Sequence, residues 1–204
     1  MLELLTKLDI NLLTFINSHH NIFFDQFFLI VSQLGNGWIA VPLVAAIIII
    51  ATPRARLARA LLYAAIAGTL AGVANTQIKR AVHRPRPVVY FEKQAASRME
   101  NSGIEAKVRS VHLVGRGWRE NSFPSGHATT VFAAATILAL LYGGYFFLGF
   151  IPACLTAYSR VYMGVHFPSD VLGGTVLGCS IALLVAFFFR RHLRLPFRRD
   201  HAEQ

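Results

Sequence analysis

Three short segments hold most of the residues able to do chemistry: Lys79-Arg80-Ala81-Val82-His83-Arg84-Pro85-Arg86-Pro87, then Pro124-Ser125-Gly126-His127, then Ser159-Arg160 followed by His166 and Asp170. In the third, His166 stands four residues before Asp170 with Pro168 between them. A carboxylate bound to one ring nitrogen fixes the imidazole tautomer and leaves the other nitrogen nucleophilic, which is triad logic without a serine. The alternative is that Asp170 only caps the following helix and His166 is an interfacial residue. Arg160 is costly to place in lipid, so it is expected to face the same polar site.

In the second segment a helix is expected to open at Pro124, as a first-turn proline. First-turn amides have no internal partner and bind anions. Gly126 lets a ligand approach the backbone, the Ser125 hydroxyl can donate, and His127 lies beside the anion as a general acid. Lys79 lies about two turns from Arg86 if the helix continues, or closer if it breaks at Pro85, and two prolines in three residues argue for the break, since the residue before each is pushed from helical geometry. Arginine offers a planar fork to phosphate oxygens and lysine a compact charge. Arginines at a span end also serve simply as interfacial anchors, and a lone histidine at a helix start is commonly incidental. The company of the three segments is therefore what matters.

These residues need elements that bring them together. The chain has 204 residues, of which 54% are hydrophobic and 15% charged, and its mean hydropathy is +0.48. A membrane is the solvent this implies. Five runs meet or approach the roughly 20 apolar residues that a helix needs to cross: 37–52, 57–78, 124–142, 146–161 and 171–189. Residues 22–34 form a shorter sixth candidate carrying Asp25, and residues 2–16 read as an amphipathic interfacial helix within an N-terminal segment 1–21. The expected fold is an all-α polytopic bundle of about six spans, one domain over 1–204. Cys154 and Cys179 lie in apolar runs and suggest neither a disulfide framework nor a metal site. No cleavable leader is evident, because Glu3 and Asp9 fall where a basic segment and an uncharged run would stand.

The basic link 53–56 and the basic tail 190–204 are expected on the cytoplasmic side. Threading the spans from there puts all three segments on the external face. Residues 79–120 then hold ten Lys or Arg against four Glu, on the side where basic residues are usually scarce. With a net charge of +10, nucleic acid would be the partner of a soluble basic domain. Among apolar spans, anionic lipid is the better match. Residues 88–121 read as an external loop, a lid or recognition element offering Phe91 and Trp118.

Lys79 with Arg86-Pro87, Pro124-Ser125-Gly126-His127, and Ser159-Arg160 with His166 and Asp170 together resemble the signature of the type 2 phosphatidic acid phosphatase family, in order and in span context. The resemblance covers roughly residues 57–190. It implies that Lys79, Arg86 and Arg160 bind phosphate, with Ser125 and the Gly126 amide completing the cradle. His166 would attack phosphorus, Asp170 would orient it, and His127 would protonate the leaving oxygen before water hydrolyses the phosphohistidine. It also implies a metal-independent enzyme with no cofactor, and the sequence offers no carboxylate cluster for Mg²⁺. The expected substrate is a membrane lipid phosphate, of undecaprenyl diphosphate or phosphatidylglycerophosphate and phosphatidic acid type. The expected setting is the inner membrane, with the site facing the periplasm or exterior, a cytoplasmic C-terminus and no obligate protein partner. A lipid A 1-phosphatase, a lipid-to-lipid phosphotransferase and, remotely, a non-catalytic lipid-binding protein are the alternatives. The two histidines must hold opposite protonation states, so a bell-shaped pH dependence near neutrality is expected.

Overall fold

In lipid, a chain can satisfy its backbone only as helices or closed barrels, and among the described residues every regular element is helical. The computed structural model describes residues 2–102, 111–115 and 119–193. The α-helices are α1 (Leu2–Ser18), α2 (Ile22–Ser32), α3 (Gly37–Ala51), α4 (Arg54–Val82), α5 (Pro87–Ser102), α6 (Gly126–Tyr142), α7 (Phe150–Tyr162) and α8 (Pro168–Leu193), with 3-10 turns at Gln33–Gly35 and Gly144–Gly149. Trp118, part of the 88–121 segment and most of the basic tail lie outside the described residues.

Residues 54–97, which include α4, and 168–189 of α8 are each long and apolar enough to cross a membrane, and α6 is a shorter apolar helix. The segments 22–34 and 37–52 behave differently from two separate spans. Only Asn36 separates them, and they meet at a bend of 64°. A bend of that size is the geometry of one broken span or of a re-entrant pair. Asn36 makes the corner by capping α3, its side chain accepting the Trp38 N–H at 3.2 Å.

Two further expectations need correcting. The segment after Arg86 is not a loop at its start, since Pro87 opens α5 and the helix runs to Ser102. Proline at the first helical position removes only an N–H that had no partner anyway. Pro124, by contrast, does not open α6. It precedes the cap residue Ser125, and the first-turn proline is instead Pro168 of α8.

The tightest packing joins α6 to α8. A Cβ added at Gly174 would lie 2.4 Å from Ser125 O, and one at Gly178 would lie 2.4 Å from Thr129 O. Two glycines four residues apart therefore let the backbones approach, as small-residue pairs do between helices in lipid. This sets the first turns of α6 and α8 side by side, and Ser125 N–H donates to Asp170 O at 2.8 Å. Outside the bundle the surface is strongly apolar, with Trp38 89%, Ile50 86% and Phe188 72% exposed. Apolar area on that scale is a contact surface, and here it faces lipid.

Candidate active site

The C-terminus of α4 ends in a left-handed residue, His83 at φ 48°, whose N–H returns to Lys79 O. The chain then runs through Pro85 to α5, and residues 119–122 lie against it. Ser122 N–H donates to Arg84 O at 2.8 Å and Arg86 N–H to Arg119 O at 3.3 Å. Lys79 Nζ donates to Asn121 O at 2.8 Å, while Arg86 donates through Nε to Glu120 O at 3.1 Å and through Nη1 to Val165 O at 3.2 Å. The proline-broken segment thus aims both cations inward and ties them to two other strands of chain.

At the start of α6, Ser125 is fully buried and its Oγ accepts the Ala128 N–H at 3.5 Å. Its hydroxyl proton remains for donation. The Gly126 and His127 amides occupy the first turn, where helix geometry supplies no acceptor. Asn75 of α4 braces this turn by donating to Thr129 Oγ1 at 2.9 Å. His127 packs against Gly35, where an added Cβ would come within 2.6 Å of the histidine Cβ. The bend between α2 and α3 is therefore also the wall of the site.

At the end of α7, the Val165 and His166 amides both donate to Arg160 O at 3.2 Å, folding the chain back on itself. His166 is buried, and its Nδ1 lies 3.5 Å from both Asp170 Oδ2 and Ser122 Oγ. This leaves Nε2 as the ring nitrogen turned away from the carboxylate. Asp170 is wholly buried and saturated with donors: Arg84 Nη1 reaches Oδ1 at 2.6 Å, and the Phe167 N–H at 2.8 Å and the Ser122 hydroxyl reach Oδ2. Accepting the Phe167 N–H is a capping role for α8, so the carboxylate that faces His166 also caps. Burial pushes the His166 imidazole down, to about 4, against the Asp170 hydrogen bond that raises it; Arg86 and Arg160 lower it further. The ring is neutral at pH 7.

All three expected cations, Lys79, Arg86 and Arg160, lie within electrostatic reach of His127, and Arg86 and Arg160 also act on His166. Arg160 is buried, and among the described residues its Nε has no acceptor. A buried guanidinium nitrogen without a partner is expensive, and a phosphate oxygen is the acceptor that suits it. The eight residues singled out in the sequence are therefore gathered at one end of the bundle. Residues in contact with these or with one another that the sequence did not single out are Arg84, Ser122, Asp9 and Gly35. Arg84 lay in plain view inside the basic cluster, but its partners are remote in sequence.

Leading away from the first turn of α6 is an apolar groove of about 550 Å³ between α3, α4 and α6, lined among others by Ala40, Val44, Gly68, Gly72, Thr129 and Ala133. It reaches as deep as Ile48, Leu61 and Ile137. From Gly72 to Leu61 a helical rise of 1.5 Å per residue gives about 16 Å, roughly one leaflet of a 30 Å hydrocarbon core.

Buried arginines and a buried histidine gathered at one end of an apolar helical bundle, with a leaflet-deep apolar groove along α3, α4 and α6, are the features of a membrane protein with a polar centre. Comparison with known proteins agrees. The family model of the PAP2 superfamily matches residues 56–194. The chain is 32% identical over 185 residues to the lipid A 4'-phosphatase of Bacteroides thetaiotaomicron, covering 87% of this chain and 75% of that one. It is 34% identical over 120 residues to the lipid A 1-phosphatase of Rhizobium johnstonii, covering 59% and 44%. The chain thus spans less than half the length of that second relative. Among solved structures, Aquifex aeolicus LpxE superposes with a TM-score of 0.68 at 26% identity, over 88% of this chain and 95% of that one. The first transmembrane PAP2 type phosphatidylglycerolphosphate phosphatase from Bacillus subtilis shares the fold, with a TM-score of 0.63 at 21% identity over 95% and 89%. The chain belongs to the PAP2 superfamily.

Proposed function

We propose that this chain is a single-domain membrane phosphatase that hydrolyses the phosphate monoester or diphosphate headgroup of a lipid. One observation above all supports this reading: the buried Arg160 guanidinium, its Nε without an acceptor among the described residues, acts electrostatically on both His127 and His166. The groove between α3, α4 and α6 is a place for one aliphatic chain.

In the proposed mechanism Lys79, Arg86 and Arg160 hold the phosphate with the Ser125 hydroxyl and the Gly126 amide. His166 Nε2 attacks phosphorus, the bond to the leaving oxygen breaks, and His127 gives that oxygen a proton. A bound phosphate beside His127 favours its charged form. Water then attacks the phosphohistidine while His127 takes back a proton, releasing orthophosphate and neutral His166. Asp170 fixes the tautomer and balances the charge that forms on the ring. Negative charge on the equatorial oxygens meets fixed cations in a site of low dielectric, so no reorganisation is needed.

In the proposed topology the bent α2–α3 unit, α4, α6, α7 with its preceding 3-10 turn, and α8 are five crossings of the inner membrane. Expected sixth and first spans merge into one. The site lies on the external face and the C-terminus in the cytoplasm. An undecaprenyl diphosphate or phosphatidylglycerophosphate-type lipid is the first substrate reading. A lipid A phosphate is the second, favoured by the likeness to the two lipid A phosphatases.

The test is orthophosphate release from phosphatidic acid, phosphatidylglycerophosphate, undecaprenyl diphosphate and lipid A in detergent, with EDTA present. The expected result is turnover that chelation leaves intact and that His166→Ala and His127→Ala each reduce by at least about a thousandfold. Phosphorylated lipid appearing in place of orthophosphate would indicate transfer to a second lipid. Undiminished release by His166→Ala would remove the nucleophile.

A further inference from the structure

Helix α1 precedes the residues that the family model matches, yet one face of it is built into the site. Asp9, Leu13 and Asn17 follow one another at four-residue steps, so they share a stripe of the helix, and all three are buried. The flanks carry Leu5, Leu8, Leu12 and Phe15, exposed to lipid. Leu13 packs with Phe91, Ala128 and Phe167. The Asn17 amide side chain holds the backbone of His112, accepting from its N–H and donating to its C=O, both at 2.8 Å, and donates to Tyr162 O at 2.7 Å.

A buried carboxylate is costly unless paired, and Asp9 is paired with the surroundings of Asp170. Its Oδ1 accepts the Ser169 N–H at 2.8 Å; its Oδ2 accepts the Ser169 hydroxyl and, at 2.7 Å, Arg84 Nη2. The other arm of the same guanidinium donates through Nη1 to Asp170 Oδ1 and to Ser169 Oγ, both at 2.6 Å. The face of Arg84 lies 4.4 Å over the Phe167 ring. A planar fork clamped between two carboxylates has a single geometry. With Oδ1 of Asp170 committed to Arg84, Oδ2 is the oxygen left for Ser122, Phe167 N–H and His166.

We infer that Asp9 is a positioning residue: acting through Arg84, it sets the orientation of Asp170 and hence of His166. α1 is then a working part of the site as well as a contact with the membrane. The two carboxylates also share the charge of Arg84, so that Asp170 keeps enough negative character to support the imidazolium formed during attack. This proposal rests on His166 being the nucleophile.

The experiment measures kcat and KM of the purified full chain on undecaprenyl diphosphate in detergent micelles, with Asp9→Asn, Arg84→Lys and the double variant. Asp9→Asn is expected to lower kcat about tenfold with KM changed less than about twofold, because alignment is lost while phosphate binding is not. In the double variant the losses overlap, so that Asp9→Asn costs nothing further once Arg84 is altered. Asp9→Glu, which keeps the charge, gives an intermediate kcat at unchanged KM, and it carries the test alone if Asp9→Asn does not fold. Additive losses, a rise in KM in place of a fall in kcat, or wild-type kcat in Asp9→Glu and Asp9→Asn overturn the proposal. His166→Ala in the same series separates the two levels. If it retains the parent's rate, or the parent releases no phosphate, the nucleophile and this proposal fall together; if it is silent while the Asp9 variants are unaffected, only the role of α1 falls.

Discussion

In the proposed mechanism His166 attacks phosphorus and so has to be unprotonated, a state that its burial favours. Its folded-state pKa of about 4 lies below the ordinary histidine value of 6.5. The acid limb of kcat/KM is therefore expected near pH 4, well below where an unperturbed imidazole would place it. Stability should follow the same group. Between about pH 4 and 6.5 the unfolded chain binds more protons at this position than the folded one, so stability rises with pH across that window and is lost as pH falls through it. Phosphate release and Tm, both followed from about pH 3.5 to 9, check this: an acid limb at 6.5, or a Tm slope unchanged by His166→Gln, would contradict it. The bell expected from the sequence rested on the opposite protonation states of the two histidines; the burial that lowers the His166 limb is not displayed by a sequence. The residue types themselves were legible, since Lys79, Arg86, His127, Arg160, His166 and Asp170 each carry a recognisable chemical role at a span end. Ser122 and Arg84 were not. Ser122 is a common residue with no local partner, and Arg84 pairs with groups 75 and 86 residues away.

The helices themselves follow from apolar runs, and α4, α6 and α8 stand where such runs are longest. What was hidden concerns how helices join. A one-residue corner at Asn36 cannot be told from a loop by hydropathy, and α5 is polar enough to pass for a loop. The floor of the groove was likewise invisible, because Gly68 and Gly72 look like ordinary packing residues in an Ala-rich span. In the structure an added Cβ at either meets nothing within 4 Å. Gly68→Leu should therefore fold, with helix propensity improved, while its side chain occupies the groove. Release from undecaprenyl diphosphate is expected to fall about tenfold or more and release from water-soluble p-nitrophenyl phosphate to stay within about twofold. Equal losses on both substrates would separate the groove from the lipid chain. Gly174 and Gly178 behave in the opposite way, since their Cβ positions are already occupied by α6 backbone.

At the scale of the whole molecule, the site is a meeting of helix ends. The C-terminus of α4, the N-termini of α6 and α8, the C-terminus of α7 and the bend before α3 all arrive at one level, and the convergence inferred from span threading is the arrangement seen. That bend has a further use. Gly35 touches His127, and three residues on, Trp38 projects from the bundle, 89% exposed. Tryptophan favours the headgroup boundary of a bilayer. The chain contains two tryptophans, so in Trp118→Phe the emission comes from Trp38 alone. Quenching by spin-labelled lipids should be strongest for labels near the glycerol level and weak for labels at the acyl terminus; the reverse would place the histidines in the hydrocarbon. The corner that shapes the wall of the site thus equips the protein with an optical depth gauge for its own reaction centre.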